Sequence, residues 1–437
     1  MTITCAVFGT ASLRAMTRSR QVPRSLVSVS AACAVLFGGV AAPPAATASG
    51  VATPFGSTAF DRPANTAQSG TVLAPGVTHR PFTMDTDAGA VRGHVLTVDL
   101  REARIGLLHP GVVAERDEIP DMANAQGAIA GVNGDFFNIS DSHEGIEPTG
   151  SSVGPAIAAG DALKGAVPDG QRFGPALPHG TSTRDVFGMG ADRKARVSTL
   201  DVTGTVRTSD GAFGVDGMNQ YALPENGIGV YTADWGPMSR VRPTCGTDTN
   251  RQAPCSDETE EVVVQGGVVV AERDEPGEGP IPAGATVLVG REDGADRLEA
   301  LDEGDRVRVR SGLDGDEPVP PFAFAVGGYP ILRDGAPLPG LDTGVLAPRT
   351  AAGVSSDGRT VYLTVVDGRS AESAGTTVAE LADLLRSFGA VDGVNLDGGG
   401  SSTFVTREPG DERALVRNMP SDGKPRAVAN GVGVFTR

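Results

Sequence analysis

One nine-residue pattern occurs twice in this chain and constrains the local fold at both places. Gly127-Ala-Ile-Ala-Gly-Val-Asn-Gly-Asp135 and Gly389-Ala-Val-Asp-Gly-Val-Asn-Leu-Asp397 are identical at six of nine positions. Each starts on a glycine, runs through an apolar strand-like stretch and ends in Asn-x-Asp. Side chains two apart on a strand share a face. Asn133 with Asp135, and Asn395 with Asp397, are therefore expected to project together from two strand ends. The second copy continues into Gly398-Gly399-Gly400-Ser401-Ser402, bare backbone with hydroxyls that a polar ligand can approach closely. Asn, Asp and Gly also end strands simply because they make turns. The recurrence of the whole pattern, and the triple glycine after one copy, favour a reaction centre.

The N-terminus reads as a targeting segment. Arg14, Arg18, Arg20 and Arg24 precede an apolar stretch from Ser25 to Val40, and Ala46-Thr47-Ala48 offers a small-x-small cleavage site, the layout of a signal peptide over 1–48. Met16 would give a start of more usual signal length. Residues 49–75, rich in Ala, Pro, Ser, Thr and Gly, read as a flexible lead, and 76–437 as the working domain. With Cys5 and Cys33 in the removed segment, Cys245 and Cys255 remain, and export makes a disulfide between them the natural reading. A zinc site is not expected there, since no His lies nearby in sequence. The mature chain is expected to be secreted, with no integral membrane segment. A net charge of −17 repels phosphate backbones, which argues against nucleic-acid partners. A single Trp and 5% aromatic content argue against a tryptophan-lined sugar platform.

The body is strand-rich. Val91 to Leu100 and Ala103 to Leu108 read as strands, and Pro120 to Gln126 as a short helix with Pro in its first turn. Ala156 to Leu163 reads as a hairpin. Asp357-Gly358, between Val354 and Thr360–Val366, is a strong hairpin signal. A second helix is marked by the Thr377/Glu380 capping box and the stripe Val378, Leu381, Leu385 and Phe388, with Gly389 ending it. Few helices among many hairpins predict an α+β fold with mixed, mostly antiparallel sheets. Residues 256–305 hold 15 acidic and 3 basic side chains and are read as part of a solvated, strand-containing surface excursion around 240–320. Calcium is conceivable there, but the spacing of a calcium loop is missing, so no cofactor is indicated.

Several mechanisms lack their signatures. No Gly-Lys-Ser/Thr follows the glycine loop, and there is no Gly-x-Ser-x-Gly elbow. Ser401 is conceivable as a nucleophile, yet His79, His94, His109, His143 and His179 are scattered and read as structural or exposed. The Asp357-Gly358 hairpin brings Arg349 and Arg369 to one end, where arginines suit phosphate or carboxylate; ordinary surface arginines near turns are the plainer alternative.

Val132-Asn-Gly-Asp-Phe-Phe137, Gly327-Gly-Tyr-Pro330, Pro348-Arg-Thr350, Val366-Asp-Gly-Arg369 and Asn395-Leu-Asp-Gly-Gly-Gly-Ser-Ser402 together resemble the phosphodiester glycosidase family, in the family's order over about 125–437. Bacterial members are often labelled exopolysaccharide biosynthesis proteins. Residues 256–305 match nothing recognisable in it. The resemblance implies hydrolysis of the sugar–oxygen bond of a sugar-1-phosphodiester in a glycan or envelope glycopolymer. Such a leaving group needs positive charge and N–H donors, which Arg349, Arg369 and the amides of Gly398, Gly399 and Gly400 could supply. The oxocarbenium-like sugar wants a carboxylate at the anomeric carbon. Asp135 and Asp397 are the catalytic candidates and Asp367 the third, with nucleophile and base unassigned. Asn133 and Asn395 would orient sugar hydroxyls or the carboxylates. Arg426 and Asn430 match a similar pair near the end of family members and read as supporting or sheet-packing residues. Two rivals are a non-catalytic glycan-binding surface protein, and a metal-dependent phosphodiesterase with Asp135, Asp367 and Asp397 as ligands.

Overall fold

A computed structural model describes residues 69–315 and 319–437. The expected signal segment, Cys5, Cys33 and most of the expected lead lie outside the described residues. Period-two apolar patterns from both ends of that span pair into one eight-stranded antiparallel sheet. Its order is Thr71–Ala74, Val77–Thr86, Gly89–Asp99, Thr360–Val366, Arg349–Val354, Asp392–Asn395, Tyr329–Arg333 and Ala336–Pro337. The lead therefore ends earlier than residue 75, because Thr71–Ala74 pairs with the next strand through Thr71 and His79. A five-stranded antiparallel sheet, ordered Leu415–Val416, Phe404–Thr406, Ala130–Asn133, Gly431–Thr436 and Ala103–Leu108, packs against the first. Leu96, Val98, Leu363 and Val394 of the larger sheet share a buried cluster with Ile105, Val132, Phe404 and Val434 of the smaller.

The helix Val378–Phe388 covers the other face, burying Val378, Leu381 and Leu385 in a cluster with Phe82, Ile331 and Ala351. Its capping box forms as the spacing predicts: Thr377 Oγ1 accepts from the Glu380 amide, and the Glu380 carboxylate accepts from the Thr377 amide. Gly389 closes it at φ 109°, and Gly127 closes the helix Ile119–Gln126 at φ 74°. Both copies of the repeat are thus helix–glycine–strand corners. The first feeds the smaller sheet and the second the larger, so the sheet interface places their ends side by side.

Three further sheets complete the described residues. Mostly antiparallel sheets with few helices is the class expected; the pair Gly217–Met218 with Ile228–Tyr231 runs parallel.

The acidic stretch holds strands, as expected, but it is less solvated than its charge suggests. Thr259–Gln265, Val268–Arg273 and Ala285–Arg291 form the body of a five-stranded sheet whose Val262, Val264 and Leu288 are core residues, packed with Leu298 of the short helix Asp293–Leu298. Glu261 is fully buried, gripped by Arg240 at 2.7 and 3.1 Å and by Arg273 at 2.8 Å. Composition alone misled because a buried carboxylate is tolerated once it is paired.

Cys245 and Cys255 form the expected disulfide. A histidine does lie near it in space: His143 Nε2 is 2.7 Å from the Ala253 carbonyl, inside the closed loop, and Nδ1 is 2.5 Å from Asp141. Both sulfurs are consumed by the bond. No described helix is long and apolar enough to cross a membrane.

Candidate active site

The two look-alike corners meet. Asn133 Nδ2 donates to the Asp397 carbonyl at 2.6 Å, and the Asp397 amide donates to the Gly134 carbonyl at 2.8 Å. Asn133, expected to orient sugar hydroxyls or the carboxylates, is fully buried, and both ends of its amide are used. Its Oδ1 accepts from Thr350 Oγ1 at 2.7 Å and from the Thr403 amide at 3.0 Å. It ties the two sheets together.

Asp135 follows on the same face and is 3% exposed. The Gly154 amide donates to its Oδ2 at 2.6 Å, and its own amide donates to Asn430 Oδ1 at 2.9 Å. Gly327 is obligatory here, since a Cβ on it would sit 2.3 Å from that Oδ2. Burial pushes the Asp135 carboxyl up, against the Gly154 amide and the Lys164 cation, which hold it down.

Asp397 is only half-buried by surface exposure. Its carboxyl is pushed up to about 7 by burial, opposed by the Ser401 hydroxyl, the Gly398 amide and Arg426, and reinforced by the negative charge of Asp135. The charge of Asp135 therefore reaches the Asp397 carboxyl. Ser401 is fully buried and serves Asp397, which counts against it as a nucleophile.

Asn395 donates from Nδ2 to the Tyr329 hydroxyl at 2.7 Å, leaving the Tyr329 proton free to be given elsewhere. Asn395 is 1% exposed, and its Oδ1 has no partner. A buried acceptor left unpaired costs about 1–3 kcal/mol, and Asn395 Oδ1 is one of six buried side-chain polar atoms without a partner among the described residues. Phe136 stacks on Tyr329 with centroids 5.4 Å apart.

The two arginines differ. Arg349 is buried and donates to the carbonyls of Thr376 at 3.0 Å and Val345 at 2.7 Å, so it braces the loop entering its strand more than it offers an open clamp. Arg369 is exposed at φ 59°, with Nη1 3.2 Å from where a Cβ on Gly399 would lie. Among the described residues its guanidinium makes no hydrogen bond.

The glycine loop is not an open cradle of amides. It winds into a 3-10 turn over Gly399–Ser401; the Gly398 amide donates to Asp397 Oδ1 at 2.9 Å and the Gly399 amide to the Pro348 carbonyl at 2.8 Å. Two of the three expected anion donors are therefore spent. Gly400 is needed for packing: a Cβ there would lie 2.1 Å from Arg426 and 2.2 Å from Asp422. These two form an ion pair at 2.5 Å, and Arg426 reaches Ser401 Oγ at 3.4 Å. Asp367 is also placed differently from Asp135 and Asp397. Its Oδ1 accepts from the Met419 amide at 2.9 Å, a fold-holding contact.

Sequence reasoning missed Lys164, Gly154 and the Tyr329 hydroxyl. Tyr329 lay inside a quoted motif; Lys164 lies on a short hairpin strand with no motif around it. The assembled site offers two carboxyls of raised affinity for protons, an unpaired amide oxygen and a free guanidinium. That set can take a proton, receive a hydroxyl and hold an anion.

Residues 258–435 match the phosphodiester glycosidase family. The matched range spans most of the acidic stretch. Among curated proteins, the SPbeta prophage-derived uncharacterized protein YomE of Bacillus subtilis (strain 168) is 37% identical over 114 residues, covering 25% of this chain and 16% of that protein's length. A hypothetical protein from Synechocystis superposes with a TM-score of 0.65 at 20% identity, covering 86% of this chain and 64% of that one. A putative exported protein from Burkholderia pseudomallei K96243 gives a TM-score of 0.60 at 23% identity, covering 79% of this chain and 74% of that one. Those two likenesses establish the fold.

Proposed function

We propose that this chain, which carries the phosphodiester glycosidase match over residues 258–435, is a hydrolase that breaks the sugar–oxygen bond of a sugar-1-phosphodiester. The observation that carries the reading is the meeting of Asp135 and Asp397 at one sheet junction, beside the unpaired Asn395 Oδ1. Asp397, the more accessible carboxyl, takes the position next to the anomeric carbon. Asp135 sits deeper and biases its charge. Asn395 Oδ1 accepts a sugar hydroxyl. Arg369 meets the departing phosphate monoester, which is stable as an anion and asks for charge more than for a proton. Water adds to the anomeric carbon, the carbon–oxygen bond breaks with its electrons going to the phosphate oxygen, and the water proton passes to a carboxylate.

We read the protein as exported and its substrate as an envelope or extracellular glycopolymer carrying such linkages. The Cys245–Cys255 bridge supports an oxidising compartment. The metal-dependent alternative is weakened because Asp135, Asp367 and Asp397 are not among the described groups whose ligand atoms lie close enough to share one ion. The deciding experiment is NMR product analysis on a small panel of sugar-1-phosphodiesters in H₂¹⁸O. Free sugar carrying the label at C1, with an unlabelled phosphate monoester, is the expected result. A labelled phosphate and a sugar phosphate product would point to phosphorus–oxygen cleavage. Binding without turnover would point to a glycan-recognition protein.

A further inference from the structure

Lysine is almost absent from this chain. Of 37 lysines and arginines only three are lysine, at positions 164, 194 and 424. Lys194 and Lys424 are exposed, whereas Lys164 is 1% exposed. Its Nζ donates to the carbonyls of Gly154 and Gly165 at 2.5 Å each and to that of Val153 at 3.3 Å. The Val153 carbonyl belongs to the same peptide unit as the Gly154 amide, and that amide donates to Asp135 Oδ2 at 2.6 Å. One peptide plane thus has a buried cation on its oxygen and a buried carboxylate on its nitrogen. A cation on the carbonyl polarises the amide and strengthens its donation to the carboxylate.

We propose that Lys164 is a positioning residue that acts through the Val153–Gly154 peptide to keep Asp135 ionised and aimed at the reaction centre. The proposal rests on the reading of Asp135 as part of that centre. A buried ammonium surrounded by carbonyls alone lacks a counter-charge, and Asp135 supplies it. Hydrogen bonds to carbonyls fix the direction of Nζ, so the amine organises the loop 153–154 instead of contacting the carboxylate. Other ionisable groups face the pair. Asp397, with Arg426 behind it, lies on the substrate side, and the Tyr221 ring is within electrostatic reach of Asp135. His109 and Asp234 line the small cavity that also borders Lys164. Burial lowers the amine and raises the carboxyl, and each charge opposes the shift of the other.

Three lysines make the test direct. With ¹³C-labelled lysine the full chain gives three ε-carbon signals, to be titrated in the wild type and in Asp135→Asn. The Lys164 signal should titrate well below the other two, and lower still, by about one pH unit or more, once the Asp135 charge is gone. This arm needs no turnover, so it stands if the hydrolase reading fails. In an active enzyme, Lys164→Met should move the acid limb of the kcat/KM profile to higher pH by a similar amount while KM changes little. An unshifted Lys164 signal in Asp135→Asn overturns the proposal. So does an active Lys164→Met variant whose acid limb stays in place and whose only defect is lower stability. If Lys164→Met does not fold, the titration in Asp135→Asn decides alone.

Discussion

The side-chain amide of Asn133 is bonded at 2.6 Å to the backbone carbonyl of Asp397, a residue 264 positions away. The donor closes one copy of the repeated corner and the acceptor closes the other. The contact accounts for the polar end of the first copy only: the matching Asn395 bonds the Tyr329 hydroxyl instead of crossing to its counterpart. Asn133→Ala would leave the Asp397 carbonyl and the Thr350 hydroxyl without their partner. A loss of about 2–4 kcal/mol is expected from the unmade bonds, read as a fall in the urea midpoint at unchanged m-value.

Asp397→Asn is expected to lower turnover by a factor of about 10² to 10⁴ while the far-UV spectrum stays native. Its effect on stability has a definite sign. Burial pushes the folded carboxyl up to about 7 from its ordinary 3.8, so the folded state binds the proton more tightly. The resulting stabilisation is complete below the unfolded pKa and is lost as pH rises towards 7. The stability of the wild type relative to the variant should fall as pH rises from 4 to 7, read as a narrowing difference between their melting curves. A difference that stays constant across this range would mean that Asp397 is not the perturbed group.

The two arginines near the hairpin end should separate cleanly. Arg369 is exposed and unbonded among the described residues, so Arg369→Ala should raise KM for a phosphodiester by about tenfold or more and leave the melting temperature within a degree or two. Arg349 bonds the carbonyls of Val345 and Thr376, so Arg349→Ala should lower the melting temperature as well. Kinetics and calorimetry on the two variants test both statements.

The local grammar of the chain was legible because it is short-range. The Thr377/Glu380 box, the glycines at 127 and 389 and the Asp357-Gly358 hairpin each act over a few residues, and all form where the pattern puts them. Side-chain roles were less legible because they depend on which polar groups meet across sheets. Asn133 and Arg349 have the chemistry of ligand-binding residues but spend it on backbone carbonyls. The Gly398–Gly400 loop carries glycine partly to let Arg426 and Asp422 approach, which no count of glycines reveals. Lys164 left one trace, its rarity. The acidic composition of 256–305 did not conceal its strands, but it did conceal that Val262, Val264 and Leu288 on them face a core.

Removing the disulfide gives a separate measure. Cys245 and Cys255 close a loop of sequence separation 10, and loss of such a loop costs about 2–3 kcal/mol in the chain-entropy model. The double serine variant should melt lower, yet keep its activity if the loop plays no part at the Asp135–Asp397 junction. Calorimetry of the oxidised, reduced and variant proteins reads this directly.

Acid should loosen the N-terminal hairpin before the rest of the sheet. His79, on Val77–Thr86, and His94, on Gly89–Asp99, are 3.0 Å apart between Nε2 and Nδ1 and share a ring cluster with Phe404. Glu408 accepts from or faces His79 Nδ1 at 3.1 Å, and Arg417 adds positive charge nearby. Burial and the neighbouring His79 depress His94 to about 4, and burial depresses His79 against the opposing pull of Glu408. Both imidazoles are therefore neutral in the fold at pH values where the unfolded chain takes up protons. Their contribution is present above the unfolded pKa of 6.5 and is lost as pH falls through about 4. This is the opposite sense to Asp397, so the two effects are distinguishable in one pH series. Amide exchange in 77–99 should accelerate between pH 6.5 and 4, after correction for intrinsic rates, ahead of exchange in 349–366. In His94→Gln the acceleration should shrink, because one of the two titrating rings is gone. Equal protection of both segments down to pH 4 would show that the histidine pair carries no such strain.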